Sequence, residues 1–390
     1  MRRALELAAA EVGATGSNPA VGCVLLDPDG TTVATGVHRG PGTAHAEVDA
    51  LRRAQGRQHG ATAVVTLEPC DHQGRTGPCS RALIEAGVRR VLYAVADPNR
   101  VAAGGARRLA DAGIEVVGGV LRAQAEAVLE MWLTAIRTGR PFVTWKFATT
   151  LDGRSAAADG SSRWISSAES RADAHELRAR HDAVLVGSGT WRADDPRLDL
   201  RHGVTGRPPL RVALDARGEL PPDSRLLDGT APTLVVTDPA TGAAADGVGG
   251  TGSTGSTGGT GGTDSTSSTG RTDGANSTAD AIDVLRLKTD AHGHFPPLAL
   301  LDALDGRGVR SVLLEGGPAL AASFVRAGLV DRVVAHVAPL LLGSEGVGAT
   351  GALGVGSIDA AHRFRITSVD RTGPDLRVEL RPAARTGGTR

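Results

Sequence analysis

Residues 61–80 read ATAVVTLEPCDHQGRTGPCS, and they decide how the first third of the chain is built. ATAVVTLEP (61–69) is a run of small, β-branched and apolar residues, the composition of a buried strand. The run stops at Pro69-Cys70. After eight intervening residues Cys79 follows Pro78, which can open a helix over 78–86. Strand, loop and helix start therefore carry two of the three cysteines in the sequence, and Gly87 ends the unit.

Working upstream, His45-Ala46-Glu47 opens a helix over 44–56. AVGCVLLDPDGTTVATGV (20–37) places two apolar runs around Asp-Pro-Asp-Gly, a hairpin pattern. Residues 2–14 form a short helix. Downstream, VRRVLYAV (88–95) is a strand, 104–113 a helix and IEVVGG (114–119) a strand. Alternating strands and helices predict a mostly parallel sheet in a three-layer α/β domain over residues 1–121. A helix at 122–137, within a connector spanning 122–140, leads to a second α/β domain over 141–383. Its strands are read at PFVTWKFATT, DAVLVGSGT (182–190), PLRVALDA (209–216) and PTLVVTD (232–238). RSVLLEGGPALAASFVRAGL (310–329) reads as strand, glycine turn and helix. DRVVAHVAPLLLG (331–343) is a further strand, and 363–381 is a closing hairpin. Residues 240–280 are almost all Gly, Ser, Thr, Ala and Asp, too polar to offset chain entropy, and are read as a flexible insertion within this domain. Residues 384–390 are read as a frayed tail.

His45, Cys70 and Cys79 together offer one imidazole and two thiolates. Zinc takes such donors in a tetrahedron, and three protein ligands leave one position open for water. Glu47, two residues past the histidine, is placed to move a proton beside the metal. Cys23, inside an apolar strand, reads as a buried core thiol. Many zinc deaminases carry their cysteines two residues apart, and the separation here is longer.

Composition narrows the alternatives. Lys+Arg and Asp+Glu are equal at 43 each and aromatics make up 3%, which argues against a nucleic-acid partner. Three cysteines do not make a disulfide framework, and no apolar run approaches the roughly 18 residues of a membrane span. The N-terminus lacks the apolar stretch of a secretory signal. A cytoplasmic enzyme acting on a small molecule, without membrane or nucleic acid, is expected. Two rivals are weighed: a nucleic-acid base deaminase with an accessory domain, and a zinc-stabilised scaffold that would not need Glu47.

NPAVGCV (18–24), GTAHAEVDAL (42–51), TLEPCDHQGRTGPC (66–79) and ADPN (96–99) resemble the deaminase half of the bifunctional riboflavin biosynthesis enzymes. KFATTLDGRSA (146–156), SSRWISS (161–167), WRADDPRLDLR (191–201) and LLEGGPALAASF (313–324) are similar to their reductase half. The resemblance implies a cytidine-deaminase-like domain followed by a dihydrofolate-reductase-like domain. The implied activities are zinc-dependent deamination of a phosphoribosylaminopyrimidine and NADPH-dependent reduction of its ribosyl chain to ribityl. A homodimer or homotetramer is also implied. It places zinc on His45, Cys70 and Cys79 and proton transfer on Glu47. It places the nucleotide against Ala148, Trp164, Thr190, Asp194 and the run Gly317, Pro318, Ala319, Leu320, Ala321, Ala322 and Ser323. Substrate falls to Ser162, Arg178, Leu198, Arg201 and Glu315. Lys146 and Asp194 are candidate proton or electrostatic partners in the reduction. Asn18 is a candidate for the substrate ring or ribose, and Arg75, with His72, Gln73 and Thr76 nearby, for the phosphoribosyl group, because an arginine fork matches phosphate oxygens. Ala216, beside Asp215, offers no side-chain hydrogen bond to a nucleotide.

Overall fold

The computed structural model describes residues 1–74, 77–241 and 282–383. In the first part, α1 (Arg2–Ala10) precedes the hairpin β1 (Gly22–Leu26) and β2 (Thr32–Val37). Then come α2 (Ala46–Ala54), β3 (Thr62–Leu67), α3 (Cys79–Glu85), β4 (Arg90–Val95), α4 (Gly105–Asp111) and β5 (Glu115–Val117). The five strands form one sheet ordered β2-β1-β3-β4-β5. The sheet is mixed where a mostly parallel one was expected: β1 runs antiparallel to both β2 and β3, while β3, β4 and β5 are parallel. The tight Asp27–Gly30 turn makes the β1–β2 pair the antiparallel hairpin expected from its sequence, and the departure from expectation is the antiparallel pairing of β1 with β3.

Helix α2 lies flat on this sheet because its buried stripe is alanine: Ala46, Ala50 and Ala54, all at 0% exposure. The approach is closest over β2, where a Cβ on Gly36 would lie 2.1 Å from Ala46 O. The connecting helix breaks at Leu129 into α5 (Arg122–Val128) and α6 (Glu130–Thr138). Glu130 of α6 pairs with Arg332 and with Arg381 (2.7 Å), which fastens the connector to the second sheet.

The second part contains β6 (Phe142–Thr150), β7 (Arg154–Ala156), α7 (Ala168–Ala179), β8 (Ala183–Val186), α8 (Ser188–Asp194), β9 (Leu210–Leu214) and β10 (Thr233–Thr237). Next are β11 (Ile282–Arg286), α9 (Pro297–Asp305), β12 (Ser311–Leu314), α10 (Pro318–Arg326), β13 (Arg332–Ala338), β14 (Val347–Gly348), β15 (Phe364–Thr372) and β16 (Asp375–Pro382). Nine strands join in the order β11-β10-β9-β8-β12-β6-β13-β16-β15, and β7 pairs separately with β14. Every ladder from β11 to β13 is parallel, and the β13–β16 and β16–β15 ladders are antiparallel. The central strands are apolar throughout, as burial on both faces requires; Ala183, Val184, Leu185 and Val186 are all at 0% exposure. β12 inserts between β8 and β6, so strand order reverses there and a crevice opens beyond their C-terminal ends. β10 and β11, on either side of the Gly/Ser/Thr-rich residues, are paired neighbours.

Candidate functional site

The first candidate centre sits where α2, α3 and the end of β3 converge. His45 is the N-cap of α2, Cys79 is the first residue of α3 and Cys70 follows β3. His45 Nδ1 lies 3.5 Å from Cys70 Sγ and 3.3 Å from Cys79 Sγ, and the three ligand atoms all fall within 4.8 Å of one another. A zinc ion at about 2.3 Å from sulfur and about 2.0 Å from nitrogen separates tetrahedral ligand atoms by roughly 3.5 Å. The donor set therefore fits zinc in kind and in spacing. Its surroundings hold it rigid. A Cβ on Gly105, at the start of α4, would lie 1.7 Å from Pro69 O, so only glycine lets α4 close over the cysteine loop.

Charge is arranged for proton transfer. The Cys70 thiol is held down to about 4 by its hydrogen bond with Cys79, with help from His45. The same shared bond, together with burial, pushes Cys79 up. Glu47 is 4% exposed in the first turn of α2; burial and the neighbouring Cys70 thiolate push its carboxyl up to about 7. A buried acid poised near neutral pH can both take and give a proton.

Asn18 reaches this centre through His38. The Asn18 amide donates to His38 Nε2 (2.9 Å), and His38 Nδ1 contacts Ala44 O (3.1 Å), one residue before His45. The His38 and His45 rings meet edge to face at 5.1 Å. Arg75 and Thr76 lie outside the described residues. His72 is half-buried with an unpartnered Nδ1, and Gln73 is exposed. Glu68 escaped the sequence reading. Its carboxylate accepts from the amides of Asp97 (3.1 Å), Gly104 (3.2 Å) and Ala106 (3.0 Å), tying the cysteine loop to ADPN and α4. The available signal was an acid at the buried end of an apolar strand, which must find donors.

The second candidate centre is the crevice beyond β6, β8 and β12. Arg178 of α7 and Glu315 after β12 form a bidentate pair (2.6 and 2.9 Å), their side chains 12% and 10% exposed. Against the cost of burial, Arg178 holds the Glu315 carboxyl down to about 2. Lys146 on β6 is half-buried beside this pair, and burial lowers its pKa. Thr190 faces Gly317 across the crevice: a Cβ on Gly317 would stand 3.7 Å from Thr190 Oγ1. Ala148 is half-buried further along β6. Trp164 is 68% exposed, with the Arg171 guanidinium 4.3 Å from its ring centroid, so it is a surface residue, not a core one.

Other residues are spread more widely than the sequence suggested. Asp194 closes α8 with its carboxylate 3.6 Å from Arg163, and among the described residues no hydrogen bond or ion pair joins it to Lys146. Leu198 is 2% exposed within the core, which leaves its backbone to meet a ligand. Arg201 pairs with Asp199 (2.9 Å), and Ser162 is half-buried in the loop before Trp164. Along α10, Ala321 and Ala322 turn into the core and the Ser323 hydroxyl returns to Leu320 O (2.7 Å). Gly317, Pro318 and Ala319 open this helix at the crevice, and the Leu320 side chain folds against Gly187 and Gly316.

Comparison with known proteins adds the following. Residues 1–95 match the family described as the cytidine and deoxycytidylate deaminase zinc-binding region, and residues 141–244 and 265–378 match the RibD C-terminal domain. The chain is 44% identical over 372 residues to the riboflavin biosynthesis protein RibD of Mycobacterium tuberculosis, covering 94% of this chain and 92% of that protein. It is 36% identical over 393 residues to RibD of Escherichia coli, with 97% and 98% covered. Among solved structures it is similar to Acinetobacter baumannii RibD (TM-score 0.81, 33% identity, 98% and 97% covered). It is likewise similar to a diaminohydroxyphosphoribosylaminopyrimidine deaminase/5-amino-6-(5-phosphoribosylamino)uracil reductase of Thermotoga maritima (TM-score 0.80, 32% identity, 98% and 97% covered).

Proposed function

The chain belongs to the RibD family of riboflavin biosynthesis proteins, and on that premise we propose that its two centres act in turn on one phosphoribosylaminopyrimidine. It is a bifunctional enzyme, a deaminase joined to a reductase. The nucleic-acid base deaminase weighed above is set aside by that membership.

In the first reaction the 2,5-diamino-6-(5-phosphoribosylamino)pyrimidinone loses an amino group as ammonia. His45 Nδ1, Cys70 Sγ and Cys79 Sγ would hold the zinc, which when bound acidifies a water molecule at the open position. Glu47 takes the proton released there and delivers it to the departing amine. Its burial beside the three donor atoms suits both halves of that transfer. Asn18, steered by His38, meets the substrate ring or ribose, and Arg75 meets its phosphate. The observation that carries this reading is the set of three ligand atoms within 4.8 Å, with a buried Glu47 beside them.

In the second reaction the ribosyl chain is reduced to ribityl. NADPH, when bound, supplies hydride. Ala148, Trp164, Thr190, Asp194 and the Gly317–Ser323 run line it, chiefly through the first turn of α10. The Arg178–Glu315 pair, Ser162, Arg201 and the backbone at Leu198 position the substrate. Lys146 and Asp194 steady charge on the oxygen or nitrogen that receives the proton. We assign residues 1–121 to the deaminase, 122–140 to the connector and 141–383 to the reductase. Three free thiols support a cytoplasmic setting. The exposed Ile366 and Val369 on edge strand β15 support a homo-oligomer. Among the described residues no helix is long and apolar enough to cross a membrane.

The test is to incubate the purified chain with the diaminopyrimidine and with NADPH or NADH, following ammonia and cofactor oxidation together. Ammonia release followed by NADPH oxidation is expected. No ammonia from zinc-loaded protein would refute the reading.

A further inference from the structure

Leu198 and Arg201 lie on the loop between α8 and β9. Leu198 (φ 51°) and His202 (φ 58°) in that loop adopt the left-handed backbone region that side chains disfavour. Such a conformation persists only where its surroundings hold it. Two buried side chains do so. Arg211 on β9, at 0% exposure, donates to Arg197 O (3.3 Å). His175 on α7, 4% exposed, holds the other end: the Arg201 amide donates to its Nδ1 (3.1 Å), which also lies 2.9 Å from Asp199 O.

One ring nitrogen cannot serve both contacts at once. It donates when it carries a proton and accepts when it does not. With Nδ1 protonated, the Arg201 N–H would face another donor, and among the described residues it has no other acceptor. Asp199 O, by contrast, has a second donor in Arg178 Nη1 (3.2 Å). Every group is therefore satisfied by a neutral ring with its proton on Nε2. Burial and the neighbouring Arg178 push the His175 pKa down to about 4, which keeps the ring neutral. Arg178 meanwhile holds Glu315 through Nε and Nη2. His175 and Arg178, three residues apart on one face of α7, fix the loop and the Glu315 carboxylate together.

We propose that His175 is a positioning residue for the reduction: its unprotonated Nδ1 holds the Arg201 amide and so sets Arg201 and the Leu198 backbone against the substrate. The inference rests on the substrate roles proposed above for those two residues. His175 acts through the loop, where a displacement on the order of 1 Å is enough to cost about 10²-fold in rate.

Asn and Leu test this as an isosteric pair. Asn Oδ1 stands two bonds from Cβ, as Nδ1 does, whereas Leu has the same outline and no acceptor. Steady-state reduction by the full chain is measured with deaminated substrate varied at saturating NADPH, then with NADPH varied at saturating substrate. His175→Leu should raise the substrate KM about 10–100-fold, the range for a buried donor left without its acceptor. The KM for NADPH should stay at the wild-type value. His175→Asn should keep the substrate KM close to wild type. In an Arg201→Ala background His175→Leu should add little, because both changes act on one element. Nitrogen NMR of the wild-type chain should find His175 with Nδ1 unprotonated, a readout that needs no variant. A protonated Nδ1, equal substrate KM values in the Asn and Leu variants, or full additivity with Arg201→Ala would overturn the proposal and leave the reductase reading intact. An unchanged substrate KM in Arg201→Ala alone would remove the substrate reading of the loop and this proposal with it.

Discussion

The two centres are built on opposite principles. In the deaminase half, few atoms converge: one imidazole, two sulfurs and one carboxyl, all fixed at helix starts or strand ends and pressed together by small residues. In the reductase half, the groups line a long crevice on several strands, and two of its partly buried charges neutralise each other in the Arg178–Glu315 pair. The first site is therefore a point whose chemistry depends on each ligand. The second is a surface whose chemistry depends on what it holds in place. Damage should be all-or-none and local in the first, and graded and coupled to stability in the second.

The largest effect expected from that contrast is on Glu47. Glu47→Gln should lower ammonia release about 10³-fold, the scale of lost general acid–base catalysis. Reduction of pre-deaminated substrate should continue at the wild-type rate. Equal loss in both assays would break the contrast. Next is Glu315→Gln, which leaves Arg178 charged and buried. Removing one partner of such a pair costs about 3–5 kcal/mol. Thermal melting should show the reductase half falling first, with ammonia release at permissive temperature preserved.

A third prediction concerns pH. His181 is 2% exposed, and burial pushes its pKa down to about 4. An unfolded histidine titrates near roughly 6.5. Between these values the unfolded chain binds a proton that the folded chain refuses. Stability present above pH 6.5 is thus lost as pH falls toward 4, by about 3 kcal/mol in total. Melting curves from pH 7.5 to 4.5 should show the loss in the reductase half, and His181→Gln should reduce it, leaving the share of His175, which burial also pushes down to about 4. The smallest effect belongs to Gly36→Ala, which pushes α2 off its sheet. Overpacking of this kind costs about 1–3 kcal/mol, and denaturant titration should place the loss in the deaminase half alone.

Legibility in the sequence followed the same divide. His45, Glu47, Cys70 and Cys79 were readable because their spacing along the chain matches their convergence in space. Strand and helix alternation gave the α/β class. The antiparallel β1–β2 hairpin was readable from its Asp-Pro-Asp-Gly turn, whereas the antiparallel pairing of β1 with β3 was missed because alternation alone does not report strand direction. The break at Leu129 carries no proline or glycine to mark it. Helix α7 was unassigned because AESRADAHELRA keeps only a narrow apolar stripe. The Arg178–Glu315 pair spans 137 residues, so two residues assigned separately to substrate turned out to hold each other. The insertion of β12 between β8 and β6 is equally non-local.

The most direct test is metal analysis paired with ammonia release on the purified full-length chain. About one zinc per chain is predicted, retained in Glu47→Gln without ammonia release and absent from Cys70→Ser and Cys79→Ser. Undiminished turnover of the pyrimidine by folded, zinc-free protein, or zinc held equally well after loss of both thiols, would contradict the account.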